Sequence, residues 1–176
     1  SAVAFLWKLL FNDGRVISDL LIRVGIIDSN IDFLGSTWAA RSVLIVTDVW
    51  QWVPFLFIIF VAALQGQDKE IEEAARLDGA RWRQVFFAIS LPMMRPVIAI
   101  ALVLRGIDIL TMFASPHIIT QGAPAGDTET VSYFIYRTGF KSFEFGYASA
   151  ASVIVLILTI IMAQLFVRRF FKSGRD

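Results

Sequence analysis

Three apolar blocks, residues 43–64, 97–119 and 148–167, constrain this chain more than any other feature. Each is about 20 residues long, the length at which a helix crosses a hydrocarbon core of about 30 Å. Backbone N–H and C=O groups find no water in lipid, so a single spanning segment of this length must satisfy them internally as a helix. The implied fold class is all-α, a polytopic membrane helix bundle. Composition agrees: 57% of the 176 residues are hydrophobic, against about 45–50% in soluble domains. The net charge of +1 leaves no nucleic-acid footprint. With no cysteine there is neither a disulfide nor a thiolate metal site, and the single histidine, His117, cannot build a metal cluster. The chain opens with Ser1, and the run SAVAFLWKLLF lacks a basic leader region. The expectation is no signal peptide and a start partway through a larger protein.

Residues 1–11 read as the end of a span or as an interfacial helix, with Lys8 reaching toward headgroups. Residues 12–42 read as an outer amphipathic helix and loop. Asn12-Asp13-Gly14 is a turn signal, and Val16, Ile17, Leu20, Leu21 and Val24 follow helical spacing. In the span 43–64, Thr47, Asp48 and Gln51 share a helical face, and Pro54 predicts a kink. A carboxylate at the bilayer centre costs about 2.5–3.5 kcal/mol on insertion scales. Asp48 therefore faces protein or water, or sits at the interface. In the span 97–119, Arg105 and Asp108 are three apart and can pair. Such a pair either fixes helix packing or lines a polar path for solute. Residues 120–147 form a loop with Gly122, Pro124 and Gly126, and a short helix around 131–137. The span 148–167 opens on small residues, Ala148 to Ser152, which permit close helix contact in lipid. A basic tail, 168–176, carries Arg168, Arg169, Lys172 and Arg175.

These charges set the orientation. The segment 65–96 holds Lys69, Arg76, Arg81, Arg83 and Arg95, whereas the loop 120–147 holds only Arg137 and Lys141. Basic residues favour the cytoplasm. The segment 65–96 and the tail are then inside, and the loop 120–147 and residues before 43 are outside. Arg15, Arg23 and Arg41 run against that asymmetry.

Within 65–96, Ile71, Ala74, Ala75 and Asp78 form one helical stripe, and Glu72 and Arg76 make a favourable i,i+4 pair. Gly79 stands where a left-handed C-terminal cap belongs. Trp82, Val85, Phe86 and Ile89 form a second stripe, expected to lie back on the membrane helices. Pro92 and Pro96 limit that helix. The same segment resembles the Glu-Ala-Ala signature of permease subunits in binding-protein-dependent ABC importers of the type I fold. Glu73, Ala74, Ala75, Gly79, Ile89, Leu91 and Pro92 fill every place in register.

The resemblance implies a coupling helix that docks in a cleft of an ATP-hydrolysing subunit. Glu73, Ala74, Ala75, Asp78 and Gly79 would make the docking face, with Glu73 meeting a basic residue of the ATPase. Ile89, Leu91 and Pro92 would support it. Trp50-Gln51 with Pro54, the run TQGAP at 120–124, Thr128 to Thr130, and Tyr136, Phe140, Phe143, Gly146 and Ala148 are similar to the carbohydrate and polyol branch of that family. Ala123 replaces a usual glycine there. Such permeases commonly have six spans, of which this chain would hold the last three and the end of another. The resemblance further implies an ATPase dimer, a second and homologous permease, an extracytoplasmic solute-binding protein, and a plasma-membrane location in a bacterium or archaeon. ATP and Mg would be used by the partner, since this chain has no GxxxxGK[ST] loop. Thr47, Gln51, Asp108 and Phe113 are the candidates for a solute path.

Other classes compete. A membrane enzyme needs a nucleophile–base pair or metal ligands in a span, and His117, read as a solvated loop residue, offers neither. The expectation is no catalytic residue and no metal. An ion-coupled secondary transporter could use Asp48, Arg105 and Asp108. A non-transporting remnant or scaffold is the third alternative.

Overall fold

The computed structural model describes residues 2–11, 16–28 and 32–171, with side chains of the last helix described to 168. The turn expected at residues 12–14, and Lys172 and Arg175 of the basic tail, lie outside the described residues. Every regular element described is helical: α1 (Ala2–Phe11), α2 (Ile17–Arg23), α3 (Thr37–Gln65), α4 (Lys69–Leu77), α5 (Trp82–Val85), α6 (Leu91–Met93), α7 (Arg95–Leu110), α8 (Val131–Tyr136) and α9 (Phe145–Phe171). Three wider π turns, π1 (Phe86–Ser90), π2 (Pro116–Thr120) and π3 (Arg137–Lys141), interrupt or extend them. The all-α expectation therefore holds.

Two helices are long and apolar enough to cross a membrane: Thr37–Gln65 and residues 145–168 of α9. The most apolar stretch of α9 has no buried residue. A helix apolar all round with no protein cover suits lipid or a neighbouring chain. The first span thus begins at Thr37 rather than 43, and Pro54 lies inside one continuous helix.

The span expected at 97–119 is not one helix. α7 stops at Leu110, the backbone is irregular over 111–113, and π2 comes next. The cause is readable in the chain. An α-helix through this region would need the amide of residue 116 to donate to the carbonyl of Met112, but residue 116 is proline and has no N–H. At its other end α7 meets the helical run Trp82–Met93 at 62°, and that bent pair reaches membrane length only when taken together. The count is two clear spans, or three with the bent pair. This is fewer than three full spans plus the end of a fourth.

The chain divides into two compact units, residues 1–52 with 108–157, and residues 53–107 with 158–176. In the first unit, Ala4, Phe11, Val43, Leu44 and Ile119 form a buried cluster, with Trp7, Ile17, Phe33 and Leu34 packed against it. α1 is thereby anchored on α3 and π2. α2 is only seven residues long, and its expected apolar face is largely exposed at Val16, Leu20 and Val24. The approach of α9 to π3 is close. A Cβ on Gly139 would stand 3.1 Å from that of Ala148, so glycine is required for this packing. In the second unit, Ser90, Val85, Met94, Ala99 and Ala101 are buried, and a Cβ on Gly106 would lie 3.3 Å from the end of Met162.

Candidate functional site

In the second unit, the segment between α3 and α7 is built by local rules. Asp68 caps α4, its carboxylate accepting from the amide of Glu70 at 3.0 Å. Glu70 and Glu72 in the first turn and Arg76 in the last complement the helix dipole. Arg76 bonds Glu72 one turn back, the pair the spacing predicts. It is solvent-exposed and worth at most about 0.5 kcal/mol.

Gly79 ends the helix at φ +83°. The Ala80 amide donates to the Ala75 carbonyl and the Gly79 amide to the Arg76 carbonyl, both at 3.0 Å. These two bonds make a complete Schellman motif. α4 buries none of its residues. Glu73, Ala74, Asp78 and Gly79 are exposed, Ala75 is half-buried, and Leu77, beside them, is 89% exposed. The result is a capped, rigid helix with its surface uncovered.

The second helix of the segment begins at Arg81, whose amide donates to Gln84 Oε1 at 2.8 Å. Val85 is buried, and Ile89, Leu91 and Pro92 are half-buried. Trp82 departs from expectation. It is 67% exposed and stacks on Phe86 rather than lying against the rest of the unit. Its stripe is split because π1 adds a residue to the turn between Val85 and Leu91 and so rotates the later residues out of register.

In the first unit, the irregular backbone after α7 forms one wall of a cavity of about 320 Å³. Asp48, Gln51 and Trp52 of α3 face Asp108, Thr111, Met112, Phe113, Ala114 and Ser115 across it. Of the four residues expected to line a solute path, Gln51, Asp108 and Phe113 meet here. Thr47 does not. It is fully buried and its hydroxyl donates to the Val43 carbonyl of its own helix at 2.8 Å. Asp48 and Trp52 complete the α3 wall instead. The sequence signal for Trp52 was its position one residue beyond Gln51 and four beyond Asp48, on the same helical face.

The break is held by hydroxyls. Thr130 donates to the Met112 carbonyl at 2.6 Å, the acceptor that Pro116 leaves without its helical partner. Ser132 lies 3.4 Å from the Leu110 carbonyl, and Thr111 Oγ1 lies 3.3 Å from the Asp108 carbonyl. Thr130 also caps α8, accepting from the Tyr133 amide at 3.3 Å. The preceding turn, 121–129, is tightly bonded too. Gln121, Gly122, Ala125 and Gly126 all have positive φ, and Thr128 donates to the Ala123 carbonyl at 2.7 Å. Tyr133, 1% exposed, donates from its hydroxyl to Gln121 O at 3.1 Å. Arg137 pairs with Glu129 at 3.1 Å.

Phe113 joins the cavity to an aromatic cluster of His117, Tyr133 and Tyr136, with ring centroids 4.9–6.3 Å apart. His117 is thus half-buried among rings rather than solvated. Among the described residues no group of acidic, histidine or cysteine side chains could hold a metal ion.

Residues 2–173 match the family described as binding-protein-dependent transport system inner membrane component. A probable ABC transporter permease of Sinorhizobium fredii is 36% identical over 99% of this chain and 56% of its own length. A trehalose/maltose transport system permease protein of Thermococcus litoralis is 32% identical over 93% of this chain, again 56% of its own. The chain thus spans little more than half the length of these relatives. A chain in the crystal structure of a bacterial alginate ABC transporter, in complex with a pentasaccharide-bound periplasmic protein, superposes with a TM-score of 0.85. It is 24% identical, covering 96% of this chain and 59% of that one, so the likeness is one of fold. With its helical architecture matched and nearly every residue inside the family's bounds, this chain belongs to the binding-protein-dependent transport system inner membrane component family.

Proposed function

We propose that the chain is part of the permease subunit of an ATP-driven importer, and that it carries a sugar, polyol or related small solute handed over by an extracytoplasmic binding protein. It performs no bond-making chemistry; ATP hydrolysis resides in a partner ATPase dimer. A second permease, homologous to this one, completes the path. The observation that carries this reading is α4: a doubly capped helix that buries nothing, between helices of membrane character, with Glu73, Ala74, Ala75 and Gly79 in register. Such a surface is suited to a cleft on another protein. Glu73 meets a basic residue there, and Ile89, Leu91 and Pro92 brace the helix from behind.

The topology proposed is residues 43–64, 97–119 and 148–167 in the membrane, with 1–11 ending a further span. Residues 65–96 and 168–176 lie in the cytoplasm, and 12–42 and 120–147 outside. α3, α9, the bent pair and the apolar helix α1 support it. ATP binding drives the ATPases together, α4 moves with them, and the spans exchange an inward-facing for an outward-facing state. ATP can do this only by favouring one state over the other.

The solute path runs by Gln51, Asp108 and Phe113, with Asp48 and Trp52 beside them. Carboxylate, amide and hydroxyl groups bond sugar hydroxyls, and Trp52 and Phe113 offer ring faces to the apolar side of a pyranose. A relative named for sulfoquinovosyl glycerol transport and others named for trehalose, maltose and lactose support the solute class. The test is Glu73→Lys and Gly79→Pro in the assembled importer. Both should insert normally and lose ATPase co-purification and uptake. Normal co-purification in both, or uptake that survives loss of the ATPase and collapses with an uncoupler, would refute the proposal.

A further inference from the structure

The excursion from α3 to α7 has a neck. α3 ends at Gln65; the Gly66 and Gln67 amides still donate to the Ala62 and Leu64 carbonyls, and Asp68 then starts α4. From this neck the chain leaves as α4, turns at Gly79, and returns through α5 and π1 to Ser90. At the return, Gln67 Nε2 donates to the Ser90 carbonyl at 2.8 Å. Ser90 is buried and Gln67 half-buried, so water competes weakly for this bond. Only the amide's NH₂ can face a carbonyl oxygen.

We infer that Gln67 is a positioning residue for force transmission, a clasp that fixes the root of the coupling helix to the helix returning to the membrane. This inference rests on α4 being that coupling helix. A lever transmits displacement only if its root does not pivot. α4 has no buried residue of its own to stop it pivoting. The backbone near the return is weakened: Pro92 and Pro96 supply no N–H, and the run Trp82–Met93 meets α7 at 62°. The Ser90 carbonyl accepts from the Met94 amide at 3.1 Å as well as from Gln67. One acceptor thus ties the root of α4 to the residue at the bend. Motion imposed on α4 is delivered at Met94 and α7 instead of being absorbed at the neck.

The test uses the assembled importer in lipid, with the binding protein carrying whatever solute it co-purifies with. Two quantities are read: ATPase co-purification, and the ratio of ATP hydrolysis with and without that loaded binding protein. Gln67→Glu keeps shape but sets a carboxylate, acceptor only, against a carbonyl. It should retain the ATPase and the basal rate while the stimulation ratio falls about tenfold, the factor one hydrogen bond commands. Gln67→Lys, which keeps a donor, should hold the ratio within about twofold of wild type. Glu73→Lys separates the two ideas. If it keeps the ATPase bound, the docking reading fails. If it releases the ATPase while Gln67→Glu keeps the wild-type ratio, the clasp fails alone. Release of the ATPase by Gln67→Glu to the same extent as by Glu73→Lys, or an equal loss of ratio in Gln67→Lys, also overturns the clasp.

Discussion

Thr130→Val removes two hydrogen bonds at once while keeping the side chain's shape. The hydroxyl accepts from the Tyr133 amide, capping α8, and donates to the Met112 carbonyl at 2.6 Å. Loss of a cap costs about 1 kcal/mol. A carbonyl left without a donor costs about 1–3 kcal/mol when buried. Thr130 is half-buried, so the lower end applies, about 1 kcal/mol, for a total of about 2 kcal/mol. Thr130→Ser keeps both bonds and should lose less than about 0.5 kcal/mol. Thermal unfolding of the detergent-solubilised protein, read by the fraction that remains monodisperse, should rank wild type and Ser together and Val well below.

The mechanism makes a sharper demand on a double mutant. Met112 depends on Thr130 because Pro116 has no N–H. Pro116→Ala supplies one, and in that background Thr130→Val should cost only the cap, about 1 kcal/mol. Equal costs in the two backgrounds would refute the account of the break. So would a Val variant as stable as the Ser variant.

Tyr133→Phe removes the donor to the Gln121 carbonyl and should cost about 1 kcal/mol, whereas Tyr133→Ala, emptying a fully buried ring site, should cost about 3–5 kcal/mol; the same thermal assay orders them. Gly79→Ala meets no atom within 4 Å and bears only the strain of φ +83°, about 1–2 kcal/mol, and so should retain ATPase co-purification where Gly79→Pro, whose ring fixes φ near −65°, loses it. At Gly122 a Cβ would stand 2.9 Å from Glu129 Cγ and 3.1 Å from Tyr133 Cε1, at φ +82°; Gly122→Ala should therefore unfold well below Gly79→Ala in the same scan. Gln51→Leu and Asp108→Leu should each lower uptake at least about tenfold, the loss of one or more hydrogen bonds to solute, with the ATPase still bound; unchanged uptake in both would remove the cavity from the path.

The coupling segment was legible because its determinants are local. Asp68, Gly79 and the Glu72–Arg76 spacing act within one or two turns, and each makes the bond its position implies. The second apolar block, 97–119, misled for the opposite reason. Ile109 to Ala114 carries no glycine or proline, so composition there is continuous with a span. The break is imposed from downstream by Pro116, and it is tolerable only because Thr130 and Ser132, some twenty residues on, bring hydroxyls to the freed carbonyls. Thr47 was misassigned by a related blindness. Helical spacing places it near Gln51, but a threonine in a helix can return its hydroxyl to the carbonyl four residues back, and this one does. Trp82 was misplaced because a π turn is not written in any single residue of Phe86 to Ser90.

The two kinds of error have one physical origin. In this chain apolar periodicity does little to fix position, because most large apolar side chains, including nearly all those of α9, find no cover within the chain. Lipid tails solvate leucine as well as another leucine does, so burial supplies little preference for one helix arrangement over another. Several of the buried groups are instead hydroxyls: Ser18, Thr47, Ser90, Thr120, Thr128 and Thr138. Where such groups meet backbone carbonyls, at 2.6–2.8 Å from Thr47, Thr128 and Thr130, geometry becomes directional and specific. The cavity beside Asp108 exists because a proline opened a helix and two hydroxyls stabilised the opening. Tracing hydroxyls and prolines before leucines would have located the break, and with it the wall of the candidate path.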